Sequence, residues 1–326
     1  EFRRVLFRSP GTGAATVTLS TASSTVLHPA VGYGLLRVMT LDQRPNPRDV
    51  VIYAALPNEL PRVAGVVTTV AQTPLSHVNL RAVQDDIPNA VVPGALDDPG
   101  LAALVGHYVR LEAGPGGVVV APATQAEVEA HHAAARPATE QVPERDLTVR
   151  TVTPLSQVGF EDWRTFGVKA ANLATLATFD LPEADIPDGF AVPFSFYDEF
   201  MRTNRLYDRV RTLLSSRRFR SDPAVQDAEL ATLRKAIEAA PLPAWMERAL
   251  ATTRASFPAG TPIRCRSSTN NEDLPDFSGA GLYDSFTQHP DEGPLSRCVK
   301  QVFASVWNLR AFLERDFYRI DHLATA

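Results

Sequence analysis

The chain has only two cysteines, Cys265 and Cys298, too few for the disulfide framework of a small secreted scaffold. They sit easily in a reducing cytoplasm, where the protein is expected to reside. Positive charge is not in excess either. The net charge is −5 and the sequence pI about 5.8, which argues against nucleic acid or an anionic membrane as partner. No apolar run approaches the roughly 18 residues of a membrane span. The opening segment, Glu1 to Pro10, lacks the apolar centre of a signal peptide. It joins poorly to the residues after it and reads as an assembly scar. What is present is globular material: 326 residues, 44% hydrophobic and 21% charged, enough for about two domains with apolar cores.

Residues 11–123 read as a small α/β domain. Thr, Ser, Val and Ala between Ala14 and Leu27 favour a short strand and a turn. Asp49 to Ala54 is a β-branched run suited to a buried strand, and Val63 to Val70 is a second. Ile87 to Val92 returns as a third, with Pro88 confined to a strand start or edge. Tyr108–Glu112 and Val118–Ala121, joined across the turn Ala113 to Gly117, read as a closing hairpin. Residues 124–150 read as a linker, an Ala- and Glu-rich helical connector followed by a polar stretch with two prolines. His131 and His132, adjacent within it, point to different sides of a helix and do not suit a shared metal.

Thr73 to Pro88 is the stretch around which the first domain is organised. Thr73 is a plausible N-cap with Pro74 at the first helical position, placing Ser76 and His77 in or just past the first turn. Leu75, Val78 and Ala82 recur at helical spacing and are expected to face the core. A neutral imidazole at such a helix start is a nucleophile. The free backbone N–H groups beside it would stabilise an anionic group attached to the ring. A packing or hydrogen-bonding histidine is the plain alternative.

From Val152 a second domain begins. Phe166 to Leu176 reads as a glycine turn into a helix with Leu173 and Leu176 on its apolar face. Ile186 to Pro193 reads as a turn and short strand, and Ser195 as the cap of a helix burying Tyr197, Phe200 and Met201 and, later, Val210, Leu213 and Leu214. Two more amphipathic helices follow over Asp222–Ala240 and Leu242–Ser256, and none of the three carries an obvious chemical group. Pro262 to Ser268 is a strand whose alternation puts Ile263 and Cys265 on one face and Arg264 and Arg266 on the other. Two guanidiniums followed by Ser267 and Ser268 suit a polyanion such as a triphosphate. A glycine-containing loop with Glu272 and Asp273 comes next, then one long amphipathic helix from Leu295 to Phe317.

Together these stretches resemble the phosphoenolpyruvate-utilising dikinases: pyruvate phosphate dikinase, phosphoenolpyruvate synthase and the glucan water dikinases. Ser76 and His77 match the phosphohistidine motif G-G-x-T-S-H-A-A-x-x-A-R, and Ile87-Pro88 matches the segment beyond it. Leu75 replaces the threonine, and Ala71-Gln72 or Thr73-Pro74 replaces the glycine pair. Leu75-Ser-His-Val78 with Arg81 is closer to the glucan water dikinase version, which weakens pyruvate as the acceptor. Gly167-Val-Lys-Ala-Ala-Asn-Leu173 is similar to G-G-K-x-A-N-L, and Ile186 to Val192 to V-P-P-G-F-x-V. Arg264 to Pro275 is similar to V-R-S-S-x-x-x-E-D-L-P, and Ala304 to Arg310 to A-S-L-W-x-x-R-A.

The resemblance implies a swivelling β/β/α phosphohistidine domain followed by part of an ATP-grasp domain over 151–326, both within an α/β fold class. It implies ATP and Mg2+ as cofactors, with Lys169 and Arg266 on the nucleotide phosphates and Arg264, Ser267 and Ser268 beside them. His77 would take a phosphoryl group and pass it to pyruvate, water, a glucan or another small molecule. Glu272 and Asp273 would order the loop or aid the metal. The order of domains matches the glucan water dikinases. Ala326 falls where the second half of an ATP-grasp domain is expected, so the chain reads as a fragment, inactive alone, whose missing half supplies the metal ligands. The rival readings are a non-catalytic phosphocarrier or nucleotide-sensing module, and a dehydratase-type swivelling domain with a structural His77.

Overall fold

The structure, a computed structural model, describes residues 15–20, 22–179, 188–272, 274, 277, 279 and 281–326. The segment read as a scar, and Ile186 and Asp273, lie outside the described residues. The chain divides into two compact units, Glu1–Pro137 and Ala138–Ala326.

The first unit is mixed α/β. Its elements are β1 (Val17–Leu19), β2 (Thr25–His28), β3 (Ala30–Met39), β4 (Asp49–Tyr53), β5 (Gly65–Thr68), α1 (His77–Asp85), β6 (Asn89–Val91), α2 (Pro99–Leu104), β7 (Tyr108–Gly114), β8 (Gly117–Pro122) and α3 (Gln125–Ala134). The strands form one sheet in the order β1-β8-β7-β3-β4-β5-β6-β2, parallel from β3 to β6 and antiparallel elsewhere. Its centre is covered on both faces, so β4 is buried throughout. Val50 and Ile52 pack with Leu101 and Leu104 of α2, and Val51 and Tyr53 pack with Val78 and Ala82 of α1. A strand buried on both faces reads as a continuous apolar run rather than an alternating one.

Two elements of this unit were not expected from the sequence. The longest strand, β3, lies at the centre of the sheet and carries Gly32, whose added Cβ would lie 1.8 Å from the Ala64 carbonyl oxygen. The residue that weakens the strand signal is the one that permits the close backbone approach. Helix α2 has six residues, too few to show a period, and is set by the Asp98 cap with Pro99 behind it. In the stretch expected to be a linker, α3 lies within the first unit, opened by a capping box of Thr124 and Glu127. Residues from Ala138 onward belong to the second unit. There Gln141 bridges Ile320, and Asn270 Nδ2 donates to the Glu144 carbonyl.

The second unit is largely helical. Its elements are β9 (Thr153–Pro154), α4 (Trp163–Phe166), α5 (Val168–Leu176), β10 (Phe190–Ala191), α6 (Phe194–Thr203), α7 (Leu206–Ser215), α8 (Arg217–Ser221), α9 (Pro223–Ala239), α10 (Ala244–Ala255), β11 (Ile263–Arg266), β12 (Ser285–Gln288), α11 (Leu295–Ser305) and α12 (Leu309–Phe317). β9 pairs with β10 and β11 with β12, both antiparallel. The core joins Phe196, Phe200 and Met201 of α6 to Leu230 and Ile237 of α9, Met246 of α10 and Trp307.

Four sequence expectations are corrected here. The single helix Leu295–Phe317 is two, α11 and α12. At the break Trp307 is fully buried, its indole N–H donates to Tyr197 Oη at 2.9 Å, and its carbonyl accepts from Arg234 Nη1 at 2.9 Å. That carbonyl has left the helical ladder, and a side-chain donor satisfies it instead. Ser195 does not cap α6; Pro193 precedes the helix, and the Ser195 hydroxyl donates to the Val149 carbonyl. The one helix expected as far as Leu214 is two, α6 and α7, turned at the left-handed Arg205. Helix α5 buries Ala171 and Ala174 rather than Leu173 and Leu176, because Ala174 packs directly against Phe166 and Val158, and Leu176 is left exposed. Among the described residues no helix is long and apolar enough to cross a membrane.

Candidate functional site

The helix bearing His77 starts three residues later than the sequence suggested. Ser76, not Thr73, is the N-cap of α1, with its Oγ accepting from the Asn79 N–H at 3.1 Å. Pro74 is outside the helix, in a turn closed by Ser76 N–H to Thr73 O, and its carbonyl accepts from Asn79 Nδ2 at 2.8 Å. His77 is therefore the first helical residue. Val78 and Ala82 are fully buried as expected, but Leu75 is 80% exposed, because the turn throws it outward. His77 itself is exposed, and no hydrogen bond to its ring is present among the described residues. Leu80 and Val83 lie about half exposed on the same helix.

Under this histidine lies a polar network that the sequence did not reveal. Gln72 Nε2 donates to Thr68 Oγ1 at 2.8 Å and to Asn89 Oδ1 at 3.1 Å. Asn89 Nδ2 donates to Asn79 Oδ1 at 3.0 Å and to Gln72 Oε1 at 3.2 Å, and Ser76 Oγ donates to the same Gln72 oxygen. Thr68 and Asn89 are fully buried and Asn79 nearly so. The network ties the ends of β5 and β6 to the turn before α1 and fixes the backbone that presents His77. Arg81 turns inward, with Nε 2.9 Å from Asp85 Oδ2, and Arg62 approaches the same carboxylate at 3.5 Å. The only trace of this in the sequence is a scatter of Asn, Gln and Thr, residues common in any loop.

The second cluster brings together residues far apart in sequence. Lys169, one of three lysines in the chain, reaches Glu272 Oε1 at 2.7 Å and Ser267 Oγ at 3.4 Å. The Ser268 Oγ accepts the Ala170 N–H at 3.0 Å, capping the start of α5 from outside the helix. Gly167, at φ +82°, allows this docking; a Cβ there would lie 2.4 Å from both the Ser268 carbonyl oxygen and its Oγ. Glu272 is nearly buried, its side chain 5% exposed, whereas the Lys169 side chain is 45% exposed. Lys169 is thus held on one side by a carboxylate and open to solvent on the other.

Arg264 and Arg266 stay on the exposed face of β11, as the alternation suggested. Arg264 Nη1 donates to Thr287 Oγ1 across the strand pair at 2.9 Å, while Arg266 has no bonded side chain among the described residues. The structure therefore joins Lys169 to Ser267 and Glu272, sets Ser268 on the neighbouring Ala170 N–H, and leaves the two guanidiniums on their strand. The described residues alone form no seat for the magnesium that the resemblance implies. One Glu272 oxygen is bound to Lys169, and among the described residues no three His, Cys, Asp or Glu side chains converge on a point.

A family model described as "Pyruvate phosphate dikinase, AMP/ATP-binding domain" matches residues 164–326, half of the chain. The phosphoenolpyruvate synthase of Pseudomonas aeruginosa is 30% identical over 183 residues, 55% of this chain and 23% of that protein. A probable phosphoenolpyruvate synthase of Staphylothermus marinus is 31% identical over 178 residues, covering 52% of this chain and 20% of its own. A rifampicin phosphotransferase of a Streptomyces species is 28% identical over 180 residues, 54% of this chain and 22% of that protein. The chain thus spans less than a quarter of the length of these relatives.

Proposed function

This chain belongs to the family of the pyruvate phosphate dikinase AMP/ATP-binding domain, and from that premise we propose that its second unit binds ATP, with Lys169 and Arg266 on the phosphates. Arg264, Ser267 and Ser268 support the same site, Arg264 from behind its bond to Thr287. The observation that carries this reading is the docking of the loop after β11 onto the start of α5, which puts Lys169 beside Ser267 and Glu272. A cation held by one carboxylate and otherwise open can turn to an incoming phosphate, exchanging one charge-assisted bond for another.

The first unit, in this reading, is the phosphohistidine carrier of a dikinase-type phosphotransferase. The lone pair of a His77 ring nitrogen attacks a phosphorus of the bound nucleotide, an N–P bond forms, and the bond to the bridging oxygen breaks. The leaving phosphate keeps that electron pair. The Ser76 cap and the network through Gln72, Asn79 and Asn89 hold the helix start rigid, so that its free N–H groups stand beside the phosphoryl group. The acceptor is pyruvate, water, a glucan or another small molecule. A relative named for rifampicin supports the last of these as a class.

The test uses the full-length protein with Mg-ATP. Intact mass and peptide mapping are expected to find one phosphate on His77, labile in acid and stable in base, and absent from His77→Ala. Phosphate on Ser76, or label persisting in the variant, would overturn the reading.

A further inference from the structure

Of the three helices that carried no obvious chemical group in the sequence, the first, which is α6 and α7 in the structure, turns around one. Helix α6 ends at Asn204, and Arg205, left-handed at φ 56°, turns the chain into α7. Around this corner lies a cleft of about 300 Å3 lined by Arg145, Asp198, Arg202, Arg205, Tyr207, Asp208 and Arg211. Four guanidiniums face two carboxylates, a local surplus of positive charge in a chain whose net charge is −5. The surplus continues along the chain, for residues 202–220 hold seven arginines and one acid, Asp208.

The cleft has a built floor and a loose rim. In the floor, Arg145 Nη2 lies 3.4 Å from Asp198 Oδ1, and the Tyr207 hydroxyl donates to the same oxygen at 3.2 Å. Burial, and then the Asp198 charge, push the Tyr207 phenol up to about 12, so it remains a protonated donor at neutral pH. On the rim, Asp208 is shared between Arg205 at 3.3 Å and Arg211 at 3.0 Å, with all three side chains more than half exposed. Exposed pairs of this kind hold weakly, and one carboxylate cannot saturate two guanidinium forks. Arg202 has no carboxylate partner among the described residues.

We propose that this cleft is a binding site for a small phosphate monoester dianion, separate from the Lys169 site and independent of the nucleotide reading. Arg202, with Arg205 and Arg211 drawn off Asp208, grips the phosphate in forked hydrogen bonds. Arg145, Asp198 and Tyr207 form the floor that keeps the cleft open. A dianion neutralises the surplus of two charges. The volume is at the low end of the about 300–1,000 Å3 of small-molecule pockets, so it suits a short ester better than a polymer. The chain's net negative charge disfavours a long polyanion.

The test is calorimetric titration of the chain with phenyl phosphate, inorganic phosphate, succinate and a single-stranded oligonucleotide. Phenyl phosphate is expected to bind more tightly than phosphate. Arg202→Gln and Arg205→Gly are each expected to weaken it about tenfold, Arg205→Gly being chosen because glycine accepts the left-handed backbone. Arg211→Gln provides the same reading should either variant melt early, and Lys169→Ala is expected to leave phenyl phosphate binding at the cleft unchanged. The proposal is overturned if the arginine variants titrate like the wild type, or if Lys169→Ala alone abolishes binding. Succinate binding as tightly as phenyl phosphate, or an oligonucleotide binding where the ester does not, would also overturn it.

Discussion

The two candidate centres prepare their key side chains in opposite ways. His77 stands with no bonded partner to its ring among the described residues, and the rigidity lies beneath it, in a buried net of Thr68, Gln72, Asn79 and Asn89. Lys169 is itself the bonded group, held by a nearly buried Glu272. The difference reflects what each must do in the proposed relay. A nucleophile is best left unpaired on a fixed support, since any bond to its lone pair would have to break before attack. A phosphate-binding cation gains from a carboxylate that holds it in place until the ligand arrives.

If that contrast is right, damage to the support and damage to the cation should look different. The largest effect is expected from Asn89→Ala. It removes three side-chain hydrogen bonds and strands Gln72 and Asn79 at a buried site, at a cost of about 3 kcal/mol. Urea denaturation should show this loss in the first unit, together with slower labelling of His77 although His77 is intact. A wild-type midpoint would mean that the net is ornamental.

Next come Lys169→Ala and Arg266→Ala, each expected to weaken nucleotide binding ten- to a hundred-fold, or about 1.5–3 kcal/mol. Arg264→Ala should cost less, because its guanidinium is already engaged by Thr287. Nucleotide titrations with melting curves alongside would check both points, and unchanged affinity in all three would make them solvated surface cations.

A smaller effect is tied to pH. Burial, and then the charges of Arg48, Arg136 and Arg62, hold His132 down at about 4 from an ordinary 6.5. Above 6.5 the ring is neutral whether folded or unfolded, and nothing is lost. As pH falls from 6.5 to about 4, only the unfolded chain takes up the proton, so the first unit loses stability across that window. The partly exposed ring limits the loss to about 1–2 kcal/mol. Thermal melts at stepped pH should flatten in His132→Gln relative to wild type. The smallest effect is expected at Leu75: Leu75→Ser should stay within about 0.5 kcal/mol, whereas Val78→Ala, three residues on, should cost about 2.

What the sequence disclosed and what it hid divide along the range of the interactions. Runs such as Asp49–Tyr53 and the hairpin Tyr108–Pro122 were legible because burial and turn chemistry act locally. The strand pattern that exposes Arg264 and Arg266 was legible for the same reason. The start of α1 was misplaced because Thr73-Pro74 and Ser76 are both acceptable caps, and Asn79, bonded to Pro74 O and Ser76 Oγ, decides between them. Leu295–Phe317 read as one helix because its apolar side is continuous; the break depends on Tyr197 and Arg234, far away in the chain. The meeting of Lys169 with Ser267 and Glu272 depends on contacts that no local window contains, and the cleft at Arg205 on a turn hidden by continuous helical spacing and on Arg145 from far upstream.

The order of the strands has a consequence for the growing polypeptide. β3 and β4 can pair as soon as both have emerged, but the other edge of β3 pairs with β7, and β1 pairs with β8. Until the hairpin from Tyr108 to Pro122 has left the ribosome, the longest strand of the sheet keeps a bare row of N–H and C=O groups, the kind of edge that recruits other chains. The first unit therefore closes late in its own synthesis. A nascent chain halted before Tyr108 should be held by chaperones or aggregate, and one released past Pro122 should resist protease.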